Sequence, residues 1–203
     1  MKSIILASAS ARRQELLNQI GVRFTVLSQG IDESIRSGEL AHDYVMRMAK
    51  EKADSALRAL TVSKDSSDTL VLAADTSVVC DEEVFGKPTD EADAVDMLRR
   101  LSGREHRVLS AVTLAMQDKQ RSVLSESRVS FREISVKEAQ QYFRSGEPTG
   151  KAGAYAIQGY AAVFVEQLIG SYSGVMGLPL FETAQLLAEF AVPMQLTNSA
   201  AMK

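Results

Sequence analysis

The chain has 203 residues, 45% hydrophobic and 24% charged, the proportions of an ordinary soluble globule with a sizeable core. Its formal net charge of −3 and isoelectric point near 5.5 argue against a nucleic-acid coat or a general membrane-surface binder, so a polyanion site must be a local pocket. The opening Met1-Lys-Ser-Ile-Ile-Leu-Ala7 is too short an apolar run for a secretory signal, nothing approaches a transmembrane span, and the single cysteine, Cys80, cannot close an intrachain disulfide, which suits a reducing cytoplasm.

Strand and helix patterns alternate along the chain. Residues 3–7 read as a short buried strand; from Ala11 a helical period sets Leu16, Leu17 and Ile20 on one side, and Gly21 stops it. Residues 23–27 form a second strand, followed by the acidic loop Gly30-Ile-Asp32-Glu33-Ser34. A long helix is predicted over about residues 41–60, then a polar break at 63–68. Residues 69–74 form a buried strand predicted to end on Asp75-Thr76, and 77–80 pair with Val84-Phe85 as a hairpin closing at Gly86-Lys87-Pro88. Asp90 caps a helix that runs to Leu101, with Gly103 as its stop. Strands near 107–116 and 122–132 pair antiparallel, and a helix near 136–145 follows. A glycine-rich loop, a strand over 162–168, a helix over about 180–190 and a tail expected to fray from Ala191 complete the chain. The pattern is α/β with a mixed sheet and one domain over residues 1–190, with no internal repeat.

Several side chains stand where packing alone does not ask for them. Thr149-Gly-Lys-Ala-Gly-Ala-Tyr-Ala-Ile-Gln158-Gly159 puts a cation, an amide and three glycines around a short apolar insert. Glycines let backbone N–H groups approach a ligand. Lys151 can meet a phosphate, and Gln158 offers a donor and an acceptor to a nucleobase edge. The plain alternative is an ordinary turn.

Ser8 and Ser10 lie on a strand-to-helix turn, where free N–H groups collect anions. Arg12 and Arg13 fall in the first helical turn, the wrong end for a cation, which points to a bound anion; the alternative is two solvated arginines. On the long helix the apolar stripe is Val45, Met48, Ala49, Ala53, Ala56 and Leu60, and Lys52 falls within it whereas Lys50 does not. An inward lysine must snorkel or find an anion. Asp75 is placed at the end of an apolar strand, where open sheets keep ligand-binding groups, or else caps a turn. Glu33 and Lys87 carry no signal by themselves. His42 and His106 show no zinc spacing, Cys80 has no activating base, and the Walker and dinucleotide glycine motifs are missing.

Read together, Leu6-Ala-Ser8-Ala-Ser10-Ala-Arg12-Arg13-Gln-Glu-Leu-Leu17, Ala74-Asp75-Thr76, Gly86-Lys87-Pro88, the loop from Gly150 to Gly159 and Gly170-Ser-Tyr…Gly177-Leu-Pro resemble the Maf family of nucleoside triphosphate pyrophosphatases, in order, from near Ser3 to near Phe190. The form of the loop, Ala-Tyr-Ala-Ile-Gln158, is similar to the branch acting on dTTP and UTP. The resemblance implies a Maf/inosine-triphosphatase-like fold: a mixed twisted sheet flanked by helices, one domain with two lobes and a cleft. It implies Asp75 as proton acceptor, with Glu33, Lys52, Lys87 and Arg13 in the phosphate and metal site, and Arg12, Thr76 and Gln158 choosing the base. Ser8, Ser10 and Lys151 add phosphate contacts, and Glu33 and Asp75 would hold Mg²⁺ or Mn²⁺. The expected partner is the nucleoside triphosphate, with no nucleic acid or membrane, and the resemblance leaves room for a homodimer. The family is also associated with division arrest and with clearing modified pyrimidine nucleotides. Two other readings stay open: a methylated-GTP pyrophosphatase and a non-hydrolytic nucleotide-sensing regulator. Ala11 stands in place of a usual proline, Ala156 in place of a usual glycine, and Tyr160-Ala161-Ala162 where glycine-rich residues are common.

Overall fold

Every second residue of the central strand meets a different helix layer, and that alternation builds the molecule. A computed structural model describes residues 3–28, 30–61 and 69–194. Seven strands form one mixed sheet in the order β2-β1-β3-β5-β6-β7, with β4 on the free side of β3. They are β1 (Ser3–Leu6), β2 (Thr25–Val26), β3 (Thr69–Cys80), β4 (Glu83–Phe85), β5 (Glu105–Met116), β6 (Lys119–Phe131) and β7 (Val165–Ile169). β1 runs parallel to β2 and β3, and the other pairs are antiparallel.

Helix α2 (Ala41–Thr61) covers one face. Its Ala53 and Ala56 pack with Val71 and Ala73 of β3, and its Val45 and Ala49 with Val79. The alanines let the helix lie close to β3, where Lys52 Nζ reaches Asp75. On the other face the even-numbered positions of β3 serve two separate cores. Leu70, Leu72 and Ala74 pack with α1 (Ala11–Gln19) and α6 (Leu180–Glu189). Val78 and Cys80 pack with α3 (Glu91–Leu101), α4 (Val136–Arg144) and the loop after it. Each fully buried leucine in these cores contributes about 1.5–3 kcal/mol. The short α5 (Tyr172–Met176) lies between them, and Met176 touches both. These two cores are the lobes, and the polar stretch Asp75-Thr76-Ser77 of β3 runs between them.

Most sequence-predicted elements recur within a residue or two. Three differ. The strand predicted to end at Asp75 continues to Cys80, because β5 pairs with it from Val71 to Val79 and holds its backbone through the polar residues. The second strand shortens to Thr25–Val26. The strand predicted from Ala162 begins at Val165, after a 3₁₀ turn at Tyr160–Phe164. The polar break at 63–68 lies outside the described residues. Of the tail expected from Ala191, residues 191–194 are described, with Val192 buried, and the remainder lies outside the described residues.

Candidate active site

The free edge of β3 opens the site. β1 pairs with β3 only as far as Leu72, and β4 begins to pair at Val78, so residues 73–77 have no strand partner on that side. Asp75 is therefore mid-strand rather than at a strand end, yet it lies just beyond the point where the parallel neighbour stops. A cavity of about 770 Å³ opens there, within the range of small-molecule sites. All of the sequence-predicted site residues line it: Asp75, Glu33 and Lys52; Ser8, Ser10, Arg13, Lys87 and Lys151; Arg12, Thr76 and Gln158.

Successive residues of a strand point to opposite faces, so Asp75 and Thr76 serve different walls. Asp75 faces α2, where Lys52 Nζ donates to its Oδ1 at 2.7 Å. The same ammonium lies 2.7 Å from Glu33 Oε1, and Lys87 Nζ lies 3.7 Å from Glu33 Oε2. Lys52 is thus an inward lysine with two carboxylates, whereas Lys50 is exposed. Burial pushes the Glu33 carboxyl up, but the hydrogen bond and charge of Lys52, with Lys87 behind them, hold it below its ordinary value. Glu33 sits on an irregular loop that α2 fastens: Tyr44 Oη donates to Glu33 O at 2.9 Å, and Arg47 donates to Ser34 O at 3.0 Å and to Glu39. Burial, with Asp75 and Glu33 nearby, pushes the Tyr44 hydroxyl up to about 12, so it stays a donor.

Thr76 faces the other way. Its Oγ1 lies 3.0 Å from Ser110 Oγ and 3.5 Å from Arg13 Nη2. Arg13 is held on three sides, donating from Nε to Gly177 O at 2.9 Å and from Nη1 to Ser8 Oγ at 3.2 Å. Burial lowers the pKa of Arg13, and the charges of Asp75 and Glu33 oppose that shift. Ser10 caps α1 by accepting from Arg13 N at 3.4 Å, and Ser10 N donates to Ser8 Oγ at 3.2 Å. The arginines predicted to need a bound anion therefore already have protein partners. Arg12 is paired with Glu15. With its amide turned to satisfy both groups, Gln158 accepts from Arg12 Nε at 3.2 Å and Nη2 at 3.0 Å.

The glycine loop forms the third wall. Gly153 takes a left-handed φ of +65°, and a Cβ there would come within 2.9 Å of Val78. Its N–H donates to Gly86 O at 3.0 Å, which ties the loop to the turn carrying Lys87. Lys151 points its ammonium at Thr149 O, 3.4 Å away, and remains exposed at the cavity mouth.

Sequence reasoning missed Tyr44 and the Gly177 carbonyl. Tyr44, Met48 and Lys52 are four residues apart on one helical face, a spacing that would have flagged Tyr44. Nothing in the sequence links Gly177 to Arg13. The histidines lie elsewhere: His42 pairs with Asp43 at the surface, and His106 is buried with Nε2 2.9 Å from Tyr155 Oη, where burial lowers its pKa to about 4. Cys80 is buried, and burial raises its pKa.

Residues 3–190 match the family described as Maf-like protein. This chain belongs to that family. Its relatives include a protein of Hahella chejuensis named dTTP/UTP pyrophosphatase, 49% identical over 191 residues that cover 94% of each chain. A protein of the same name from Methylococcus capsulatus is 53% identical over 184 residues, covering 91% of this chain and 89% of the relative. Another, from Bordetella bronchiseptica, is 53% identical over 196 residues and 94% of each chain.

Proposed function

We propose that this Maf-family chain hydrolyses nucleoside triphosphates, dTTP and UTP in preference, to the monophosphate and pyrophosphate. The observation that carries the reading is Lys52, held 2.7 Å from both Asp75 and Glu33 in the wall of a cavity where Arg13, Lys87 and Lys151 also converge. A triphosphate carries several negative charges, and that set of cations supplies the opposing field in a partly water-excluded site. The names of relatives about half identical over nearly the whole chain support the same substrates.

In this reading Asp75 orients the attacking water and takes its proton. A bond forms from the water oxygen to phosphorus, the α–β bridging bond breaks, and pyrophosphate leaves. Lys52 fixes the Asp75 carboxylate before substrate arrives and then turns part of its charge to phosphate. Arg13 and Lys87 clamp the chain, with Ser8, Ser10 and Lys151 as further phosphate contacts.

Glu33 and Asp75 suit a hard divalent cation such as Mg²⁺ or Mn²⁺. They are two carboxylates close enough to share one ammonium, and Mg²⁺ is commonly held by one or two carboxylates plus substrate phosphates. Among the described residues no group of three or more His, Cys, Asp or Glu is placed to hold a metal ion, so these two carboxylates would need substrate phosphates or water to complete the shell. When bound, it would neutralise phosphate charge.

Base choice follows from Gln158. Its amide oxygen is occupied by Arg12, so its NH₂ is the group left for a ligand. A donor there suits the 4-carbonyl of uracil and thymine and opposes the amino group that cytosine carries at the same position. Thr76 and Arg12 belong to the same selective wall. A buried free thiol suits a reducing compartment such as the cytoplasm, and among the described residues no helix is long and apolar enough to cross a membrane.

The test is a panel of dTTP, UTP, CTP, ATP, GTP and methylated GTP with Mg²⁺ or Mn²⁺, with the products identified. Monophosphate and pyrophosphate from dTTP and UTP, abolished by chelator, are expected. Orthophosphate as first product would overturn the reaction, and methylated GTP as best substrate would overturn the base assignment. Binding of dTTP without turnover would make the chain a nucleotide sensor instead.

A further inference from the structure

Gln158 stands on a segment with no strand or long helix to hold it, and its support comes from behind the cavity. Three backbone N–H groups flanking it end on side chains. Ala156 N donates to Tyr142 Oη at 3.1 Å, Tyr160 N to Glu147 Oε2 at 2.9 Å, and Ala161 N to Glu147 Oε1 at 3.3 Å. Tyr142 Oη in turn donates to Glu147 Oε1 at 2.7 Å. The two side chains therefore form one unit that grips the chain on both sides of Gln158.

Neither Tyr142 nor Glu147 lines the cavity. Tyr160 and Ala161 begin a 3₁₀ turn whose own cap position, Gly159, offers no side chain, so the Glu147 carboxylate supplies the cap from a distance. That approach explains Gly159. Its φ of −109° is open to any residue, but a Cβ would lie 2.0 Å from Glu147 Oε2 and 2.5 Å from Oε1. A carboxylate lies where a side chain would otherwise be. Tyr142 is buried edge-on against Phe164, their ring centroids 5.4 Å apart, so the grip is anchored in the core rather than in solvent.

We propose that Tyr142 and Glu147 are positioning residues that fix the Gln158 amide toward the base and so set base selectivity, an inference that rests on the pyrophosphatase reading above. They touch no substrate. Their effect is to keep the backbone from Ala156 to Ala161 in the one course that presents the Gln158 amide to Arg12.

The test separates the base end of the site from its phosphate end. Tyr142→Phe keeps the ring and its packing; Glu147→Gln keeps the shape but turns an acceptor into a donor. Binding of dTMP and of inorganic pyrophosphate is measured by calorimetry, and the UTP-to-CTP ratio of kcat/KM by turnover. In each variant dTMP affinity should fall roughly tenfold, the scale of losing one buried or charge-assisted hydrogen bond, with pyrophosphate affinity unchanged and the UTP-to-CTP ratio reduced. In a Gln158→Ala background Tyr142→Phe should add no further loss of dTMP affinity, because the clamp acts through that amide. Wild-type dTMP affinity in both folded variants, equal weakening of dTMP and pyrophosphate, or additive losses with Gln158→Ala would overturn the clamp. Wild-type protein that turns over no triphosphate would overturn the reaction itself, while the dTMP binding comparison would still decide the clamp.

Discussion

The wall that carries Lys52 and Asp75 and the wall that carries Gln158 are built by different means. The charged wall is carried by long regular elements: Lys52 from a 21-residue helix and Asp75 from a 12-residue strand, joined directly at 2.7 Å. The base wall instead hangs on a loop, where Arg12 donates to the Gln158 amide and Tyr142 and Glu147 accept from the backbone N–H groups of Ala156 and Tyr160 on either side of it. Placement of charge around a polyphosphate tolerates little error, since 1 Å can decide whether a contact forms. Rigid elements give that accuracy, while a loop lets the selective surface vary without disturbing it.

The largest expected effect breaks the charged wall at its centre. Asp75→Asn keeps the side-chain shape but removes the charge proposed to take the proton, so turnover should fall by about 10²–10⁴. Affinity for dTTP should hold or rise, because a negative group facing the polyphosphate has gone. Folding followed by circular dichroism and binding by calorimetry check both halves. An unstable variant with near-normal turnover per folded molecule would make Asp75 a structural residue and move the catalytic role to Glu33.

Next comes Lys52→Ala, which removes one preorganised charge contact and should lower kcat by about 10²–10³. Lys50→Ala, two residues away on the exposed face, should leave activity near wild type. Equal effects at both positions would contradict the helical-face argument.

A smaller effect concerns the loop that carries Glu33. Hydrogen bonds from Arg47 hold the Glu39 carboxyl down from its ordinary 4.5 to about 2. A carboxyl whose folded pKa is depressed contributes stability that is full above the unfolded value and is lost as pH falls toward the folded one. Urea midpoints should therefore drop between about pH 4.5 and pH 2, with Glu138 contributing in the same direction through its capping box and Arg132. Arg47→Ala should be less stable at pH 7 and lose less on acidification. An acid drop equal to that of wild type would show that Glu39 gains nothing from Arg47.

Much of the charged wall was legible in the sequence. The 3.6-residue period of α2 sets Val45, Met48, Ala49, Ala53 and Ala56 inward, and Lys52 follows from it. Asp75 was found for a partly mistaken reason. Asp75-Thr76 reads as a strand end and Ser77 as the start of a hairpin, since sequence shows hydrophobicity but not the β5 ladder that carries one strand through to Cys80. The base wall was legible only as a glycine-rich segment with an amide in it. Its supports are pairs apart in sequence, Arg12 with Gln158 and Tyr160 with Glu147, and no local period encodes them. The five-residue α5 is too short to show a period, although Ser171 caps it by accepting from Gly174 N.

The separation of the two walls is tested most directly by kcat/KM for UTP and for GTP in wild type, Lys52→Ala and Gln158→Ala. Lys52→Ala should lower both substrates by the same factor and leave their ratio unchanged. Gln158→Ala should lower UTP far more than GTP and collapse the ratio. A changed ratio in Lys52→Ala, or an equal loss on both substrates in Gln158→Ala, would contradict the division of charge and base recognition between helix and loop.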